Sequence, residues 1–112
     1  MTKDEYLAFH KSACEKMIET TRRKNADYTG VNQDPFANFR AVETQGVCST
    51  ETGFRVRMTD KLMRLDSFIQ KGVLEVKDET VTDTLFDLAN YCILLAGYIE
   101  SKRRASNAPD NA

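Results

Sequence analysis

Neither sign of charge dominates this chain: sixteen Lys and Arg stand against seventeen Asp and Glu, a formal net charge of −1. No overall field therefore draws it to nucleic acid or to an anionic membrane, and any charge-based function rests on local arrangement. Cysteine is sparse and odd in number. Cys14, Cys48 and Cys92 lie far apart without a C-x-x-C pair, and His10 is the one histidine. That pattern argues against a disulfide framework or a zinc knuckle and fits reduced thiols. Long apolar runs are missing as well. The longest, Cys92 to Ala96, is far too short to span a bilayer, and the segment Met1 to Tyr6 has no apolar signal core. The expected location is cytoplasmic. There is no glycine-rich phosphate loop, no G-x-S-x-G and no Cys/His nucleophile pair.

What is present is helical periodicity. The chain's 112 residues suggest one domain over 1–102, followed by a polar tail, 103–112, that contains Pro109 and is expected to be disordered. Thr2 and Glu5 read as a capping box opening a helix over 3–23, with Leu7, His10, Cys14, Met17, Ile18 and Thr21 as its inner face. On that face His10 reads as a core histidine rather than a base. Residues 24–53 carry Gly30, Pro35 and Gly46 among several Asn and Gln, which break the period. Within them Asp34-Pro35 can cap a short helical turn through Phe36, Phe39 and Arg40.

A second helix is expected over 51–70, ending at Gly72, with Phe54, Met58, Leu62, Leu65 and Ile69 as its apolar stripe. Val56 and Met63 lie on another side and suggest a second packing surface. A third helix is expected over 78–102, with Val81, Leu85, Leu88, Cys92, Leu95 and Ile99 inward at near-heptad spacing. Val73 to Val76 is β-prone but isolated and reads as a linker. The fold class is all-α: a small bundle of three main helices plus short helical turns.

The third helix carries the chemistry. Glu79, Asp83, Asp87 and Asn90 fall within an arc of about 80°, opposite the expected inner stripe. A row of acids is ordinarily a solvated face. Here, however, the helix becomes apolar nearly all round from Ala89 to Ile99, so Asp87 and Asn90 stand at the edge of buried territory, where unpaired carboxylates are costly. Cations must compensate them. Arg57, Lys61 and Arg64 on the second helix can do so as internal ion pairs, and Mg²⁺ or Mn²⁺, with Asp60 and Glu51 as further carboxylates, can do so as a metal site. The residues alone leave both open. Tyr28, Phe36 and Phe39 in the irregular stretch could stack on a base, and Lys102, Arg103 and Arg104 read as a solubilising cluster.

Lys24-x-x-Asp27-Tyr28, Asn38-Phe39, Glu51-x-Gly53, Arg57-x-x-Asp60-Lys61-x-x-Arg64-Leu65 and Glu79-x-x-x-Asp83-Thr84-x-x-Asp87-Leu88-Ala89-Asn90-Tyr91 together resemble the nucleotide modification associated domain of type 1. That group is common in phages and is similar to the all-α nucleoside triphosphate pyrophosphohydrolases, the MazG-like superfamily. The resemblance covers about residues 20–100. It implies a MazG-like bundle completed by oligomerisation (a homo-oligomer, dimer or higher), a nucleotide ligand, no membrane partner, and the host's cytoplasm if the chain is phage-encoded.

The resemblance further implies a metal role, with Mg²⁺ or Mn²⁺, for Glu51, Asp60, Glu79, Asp83 and Asp87. Catalytic roles fall on Asp60, Lys61 and Asp83, and nucleotide contacts on Lys24, Asp27, Tyr28, Arg57, Arg64 and Asn90. Two departures stand out. The superfamily's paired glutamates on the second helix are replaced here by Arg57 and Asp60, and the third helix spaces its acids E-x-x-x-D rather than E-x-x-D. Three functions are therefore carried forward: a Mg²⁺-dependent nucleotide pyrophosphohydrolase, a non-catalytic nucleotide-binding or sequestering protein, and a helical interaction protein whose acids pair with Arg57, Lys61 and Arg64.

Overall fold

The computed structural model describes residues 1–29, 34–72 and 80–107, with the side chains of 25–29 excepted. Four helices make up the described residues, with no strand among them: α1 (Lys3–Thr29), α2 (Ala37–Thr44), α3 (Thr50–Lys71) and α4 (Val81–Asn107). The all-α expectation holds. None of the four is long and apolar enough to cross a membrane. The chain divides into two compact units, 1–38 and 39–112.

In the first unit the Thr2–Glu5 capping box forms as the sequence suggests: Glu5 N–H donates to Thr2 Oγ1 at 3.1 Å and Thr2 N–H to Glu5 Oε2 at 3.4 Å. The helix it opens runs six residues beyond the expected Arg23. Of the expected inner face Cys14, Met17 and Thr21 are half-buried, and the other three are corrected. Leu7 and Ile18 are exposed, and His10 is an exposed residue edge-on to Tyr6 rather than a core histidine. The reason is that this unit contains no second long helix to cover the stripe.

The second unit is built on α3 and α4. Ser49 caps α3, accepting from Thr52 N–H at 3.0 Å, and Gly72, at φ 77°, closes it with its N–H on Phe68 O. Asp34 does initiate the short helix, accepting from Phe36 N–H at 2.9 Å. Gly46, at φ 76°, ends α2: its N–H returns to Glu43 O and that of Val47 to Val42 O, the paired bonds of a Schellman turn. α2 approaches α3 closely at Gly53, where a Cβ would come within 2.9 Å of Val42 Cγ2. This approach lets Phe39 lie flat on Phe54, ring centroids 4.0 Å apart, while Tyr91 meets Phe39 edge-on and Tyr98 tilts against Phe54. Phe39, Phe54 and Tyr98 are the buried apolar residues of the described chain.

Two ion pairs set the helix direction. Glu51, at the start of α3, meets Lys102 near the end of α4, and Lys61 further along α3 meets Asp87 near the start of α4, so the two helices run antiparallel. Their seam corrects the expected inner stripe of α4. It runs along Thr84, Asp87, Tyr91 and Tyr98, about a quarter-turn around the helix from Val81, Leu85, Leu88, Cys92, Leu95 and Ile99. Leu85, Cys92 and Ile99 are exposed while Val81, Leu88 and Leu95 are half-buried; of the α3 stripe Phe54 is buried, Met58 and Leu65 are half-buried, and Leu62 and Ile69 are exposed. Helical phase puts both stripes on one side of the antiparallel pair, away from α2. Val56 and Met63, expected to form a second packing surface, are exposed. α4 begins at Val81 rather than near Asp78. It also continues through Asn107 instead of giving way to a tail at Arg103, because Glu100 pairs with Arg103 and Arg104 one turn on. The Val73–Val76 segment and residues 108–112 lie outside the described residues.

Candidate functional site on the polar side of the α3–α4 pair

Opposite the apolar stripes the pair is polar. On α3, Arg57, Asp60 and Arg64 fall within an arc of about 60°; on α4, Asp83, Asp87 and Asn90 do the same. Each arc is offset in the same sense from the seam, and because the helices are antiparallel this puts both on one side. The two segments that carry the family resemblance, 57–65 and 83–91, are therefore brought face to face.

Lys61 is the bridge. Its Nζ lies 3.1 Å from Asp87 Oδ2, with the lysine side chain only 13% exposed and the aspartate 31%. On α3 itself Arg64 Nε sits 3.4 Å from Asp60 Oδ2, a pair between a 32%-exposed and a 60%-exposed side chain. The Arg57 guanidinium lies 4.9 Å over the Phe39 ring, held there by the ring's negative face, and the residue is otherwise exposed. Asn90 is half-buried on α4.

Asp83 has a structural task that the sequence reading passed over. Thr80 N–H donates to Asp83 Oδ2 at 3.2 Å and Asp83 N–H to Thr80 Oγ1 at 3.1 Å, a reciprocal cap on α4. The signal was there: Thr80-x-x-Asp83 is a capping-box spacing. Also unforeseen was the aromatic column of Phe39, Phe54, Tyr91 and Tyr98, which fixes the height of α2 against the pair.

Glu51 stands apart from the other acids. It is nine positions before Asp60 on α3, about 14 Å along the axis, and it faces the far end of α4. There Lys102 Nζ lies 3.2 Å from Glu51 Oε2 and also 5.6 Å over the Tyr98 ring. A hydrogen bond from Glu51's own backbone N–H, and then the Lys102 ammonium, hold its carboxyl below the ordinary glutamate range; Glu51 in turn raises Lys102. An acid lowered in the folded state contributes stability above its unfolded pKa and loses it as pH falls through the lowered value. Acid titration is thus expected to loosen this end of the α3–α4 pair. Glu51→Gln should remove that part of the pH dependence of unfolding, and an unchanged acid limb would contradict it.

The residues described do not gather into a magnesium cage. Asp87 engages Lys61, Asp60 engages Arg64, Asp83 caps Thr80 and Glu51 engages Lys102. Among the described residues no group of three or more His, Cys, Asp or Glu is placed to hold a metal ion. Glu79 lies outside the described residues. So do the side chains of Asp27 and Tyr28, while Lys24 is exposed on α1. No family model, curated protein or solved structure matches this chain.

Proposed function

We propose that this chain handles (deoxy)nucleoside triphosphates on the polar side of the α3–α4 pair, as a protein of the all-α, MazG-like pyrophosphohydrolase kind. The activity so implied is hydrolysis: water adds at the α-phosphate, the α–β linkage breaks, and monophosphate and pyrophosphate leave, with Mg²⁺ or Mn²⁺ as the metal. It would serve nucleotide-pool control or a phage's modified-base metabolism in the cytoplasm, in a homo-oligomer. One observation carries the reading: Lys61–Asp87 joins the two segments that resemble the family, across a face that also holds Asp60, Asp83, Arg57 and Arg64. Three cations on successive turns of α3 suit a polyphosphate, and a guanidinium such as Arg57 can grip phosphate oxygens in bidentate fashion.

A second reading, nucleotide binding without turnover, is favoured by that same engagement of the acids with the chain's own cations and cap. A panel of dNTPs and NTPs with and without Mg²⁺, read for pyrophosphate and by calorimetry, separates the two. Turnover is expected to be lost in Asp83→Asn, which keeps an acceptor for the α4 cap while removing the charge, and Arg57→Ala is expected to weaken nucleotide binding about tenfold. Tight binding without pyrophosphate supports the second reading. No uptake of nucleotide or metal leaves a helical interaction protein and overturns both.

A further inference from the structure

The Phe39 ring has no open face. Phe54 lies parallel to it, 4.0 Å away and within 5°, and fills one side. The other side is left for the Arg57 guanidinium, whose Cζ stands 4.9 Å from the ring centroid. Tyr91 meets the ring edge-on at 6.2 Å, and Phe39 keeps only 9% of its surface exposed. Phe39, which the sequence offered as a ring to stack on a base, is therefore closed to one. What it carries instead is a cation. The two cations that follow Arg57 on α3 are engaged, Lys61 with Asp87 at 3.1 Å and Arg64 with Asp60 at 3.4 Å. Among the described residues no carboxylate pairs with Arg57.

We infer that Phe39 is a positioning residue for Arg57, holding its guanidinium ready for the phosphate chain of a nucleotide. The role presupposes nucleotide binding on the polar face, and it names the cation of that face that takes the phosphate. An arginine free on a helix surface samples many rotamers, and binding an anion has to stop that motion. Contact with a ring uses the face of the guanidinium. It leaves the edge, where the N–H donors lie, for phosphate oxygens in bidentate fashion. The support is itself firm, because Phe54 behind the Phe39 ring has no exposed surface. Gly53 permits the arrangement: a Cβ there would come within 2.9 Å of Val42 Cγ2 and push α2, and Phe39 with it, off α3. Phe39 touches no phosphate and acts through Arg57.

The test is calorimetric titration of the full chain with inorganic tripolyphosphate and with a dNTP, in metal-free buffer well below each variant's melting temperature. Phe39→Leu, which keeps apolar bulk without a ring, is expected to weaken binding about two- to fivefold, the worth of an exposed cation–π contact. Phe39→Tyr restores the ring and should bind as the wild type does. In the Arg57→Ala background Phe39→Leu should cost nothing further, because its effect passes through the guanidinium. Tyr98→Leu removes another buried ring of the same column, two turns along α4 from Tyr91, and should leave the affinity unchanged. A Phe39→Leu loss that persists in the Arg57→Ala background, no loss at all, or an equal loss in Tyr98→Leu overturns the inference and leaves the nucleotide reading standing. A wild-type chain that binds neither ligand overturns both. If Phe39→Leu does not fold, NMR of the wild type decides. The Arg57 δ-methylene protons are expected upfield, shifted by the Phe39 ring, and unshifted protons overturn the positioning role.

Discussion

Phe54→Ala is expected to lower the unfolding free energy by about 3–5 kcal/mol, the range for removing a fully enclosed phenylalanine. Phe54 has no exposed surface, stacks on Phe39 at 4.0 Å and leans on Tyr98 at 6.1 Å. It therefore joins α2, α3 and α4 at one point. The described core is small, so there is little neighbouring apolar mass able to collapse into the space left behind. Against a typical total of about 5–15 kcal/mol, such a loss should drop the melting temperature by more than about ten degrees. Phe54→Leu, which keeps much of the volume, should cost well under half as much. Thermal or urea unfolding followed by circular dichroism measures both. The exposed Ile93 supplies the comparison. If Phe54→Ala costs no more than Ile93→Ala, the aromatic column is not what holds this unit together.

That column shows where the one-dimensional pattern stops being informative. Local signals transferred well. The Thr2–Glu5 box, the Asp34-Pro35 start of α2, and Gly72 at the end of α3 all act through neighbours a few positions away, and each formed as its residue types suggest. The packing face transferred in part on α3, where Phe54 of the expected stripe is fully buried, and not on α4. Periodicity picks out the broadest apolar stripe, and on α4 that stripe is Val81 to Ile99. The α3–α4 seam runs a quarter-turn away through Thr84, Asp87, Tyr91 and Tyr98, where a threonine, a carboxylate and two tyrosines do the packing. A helix with two packing sides has two stripes, and hydropathy weights the more apolar one.

The site was legible in part for the same reason. The facing acids and bases of α3 and α4 were readable as residue types, and their mutual pairing was one of the two compensations the spacing left open. The task of Asp83 was concealed by its position in the acid row: a carboxylate three residues after Thr80 caps a helix whatever else it does. Glu51 reads as part of the same acid set only until helix direction is known. Antiparallel packing carries it to the opposite end of the pair, with Lys102.

Whether the acid row answers to the chain's own cations or to a metal comes down to Lys61. Its ammonium is nearly enclosed and lies 3.1 Å from Asp87, itself about two-thirds covered. Lys61→Met keeps the aliphatic stem but strands the Asp87 charge at the seam, and a loss of about 1–3 kcal/mol is expected, less than for a fully buried pair because Asp87 still reaches water. Asp87→Asn should remove the carboxylate from Lys61 and cost less, and the double variant should recover part of the loss, giving a coupling energy of about 1 kcal/mol or more in a double-mutant cycle. Repeating the cycle in Mg²⁺ at constant ionic strength then decides between the two compensations. A metal that claims Asp87 must compete with Lys61, so the coupling should shrink as Mg²⁺ rises, and Lys61→Met should become the variant that Mg²⁺ stabilises most. A coupling indifferent to Mg²⁺ assigns Asp87 to Lys61 alone. The polar face would then meet a nucleotide through Arg57 and Arg64 without a metal on Asp87, and turnover dependent on Asp87 would have to be abandoned. A coupling near zero from the outset would mean that the bridge between the two resembling segments contributes nothing, and the proposed function would lose the observation on which it stands.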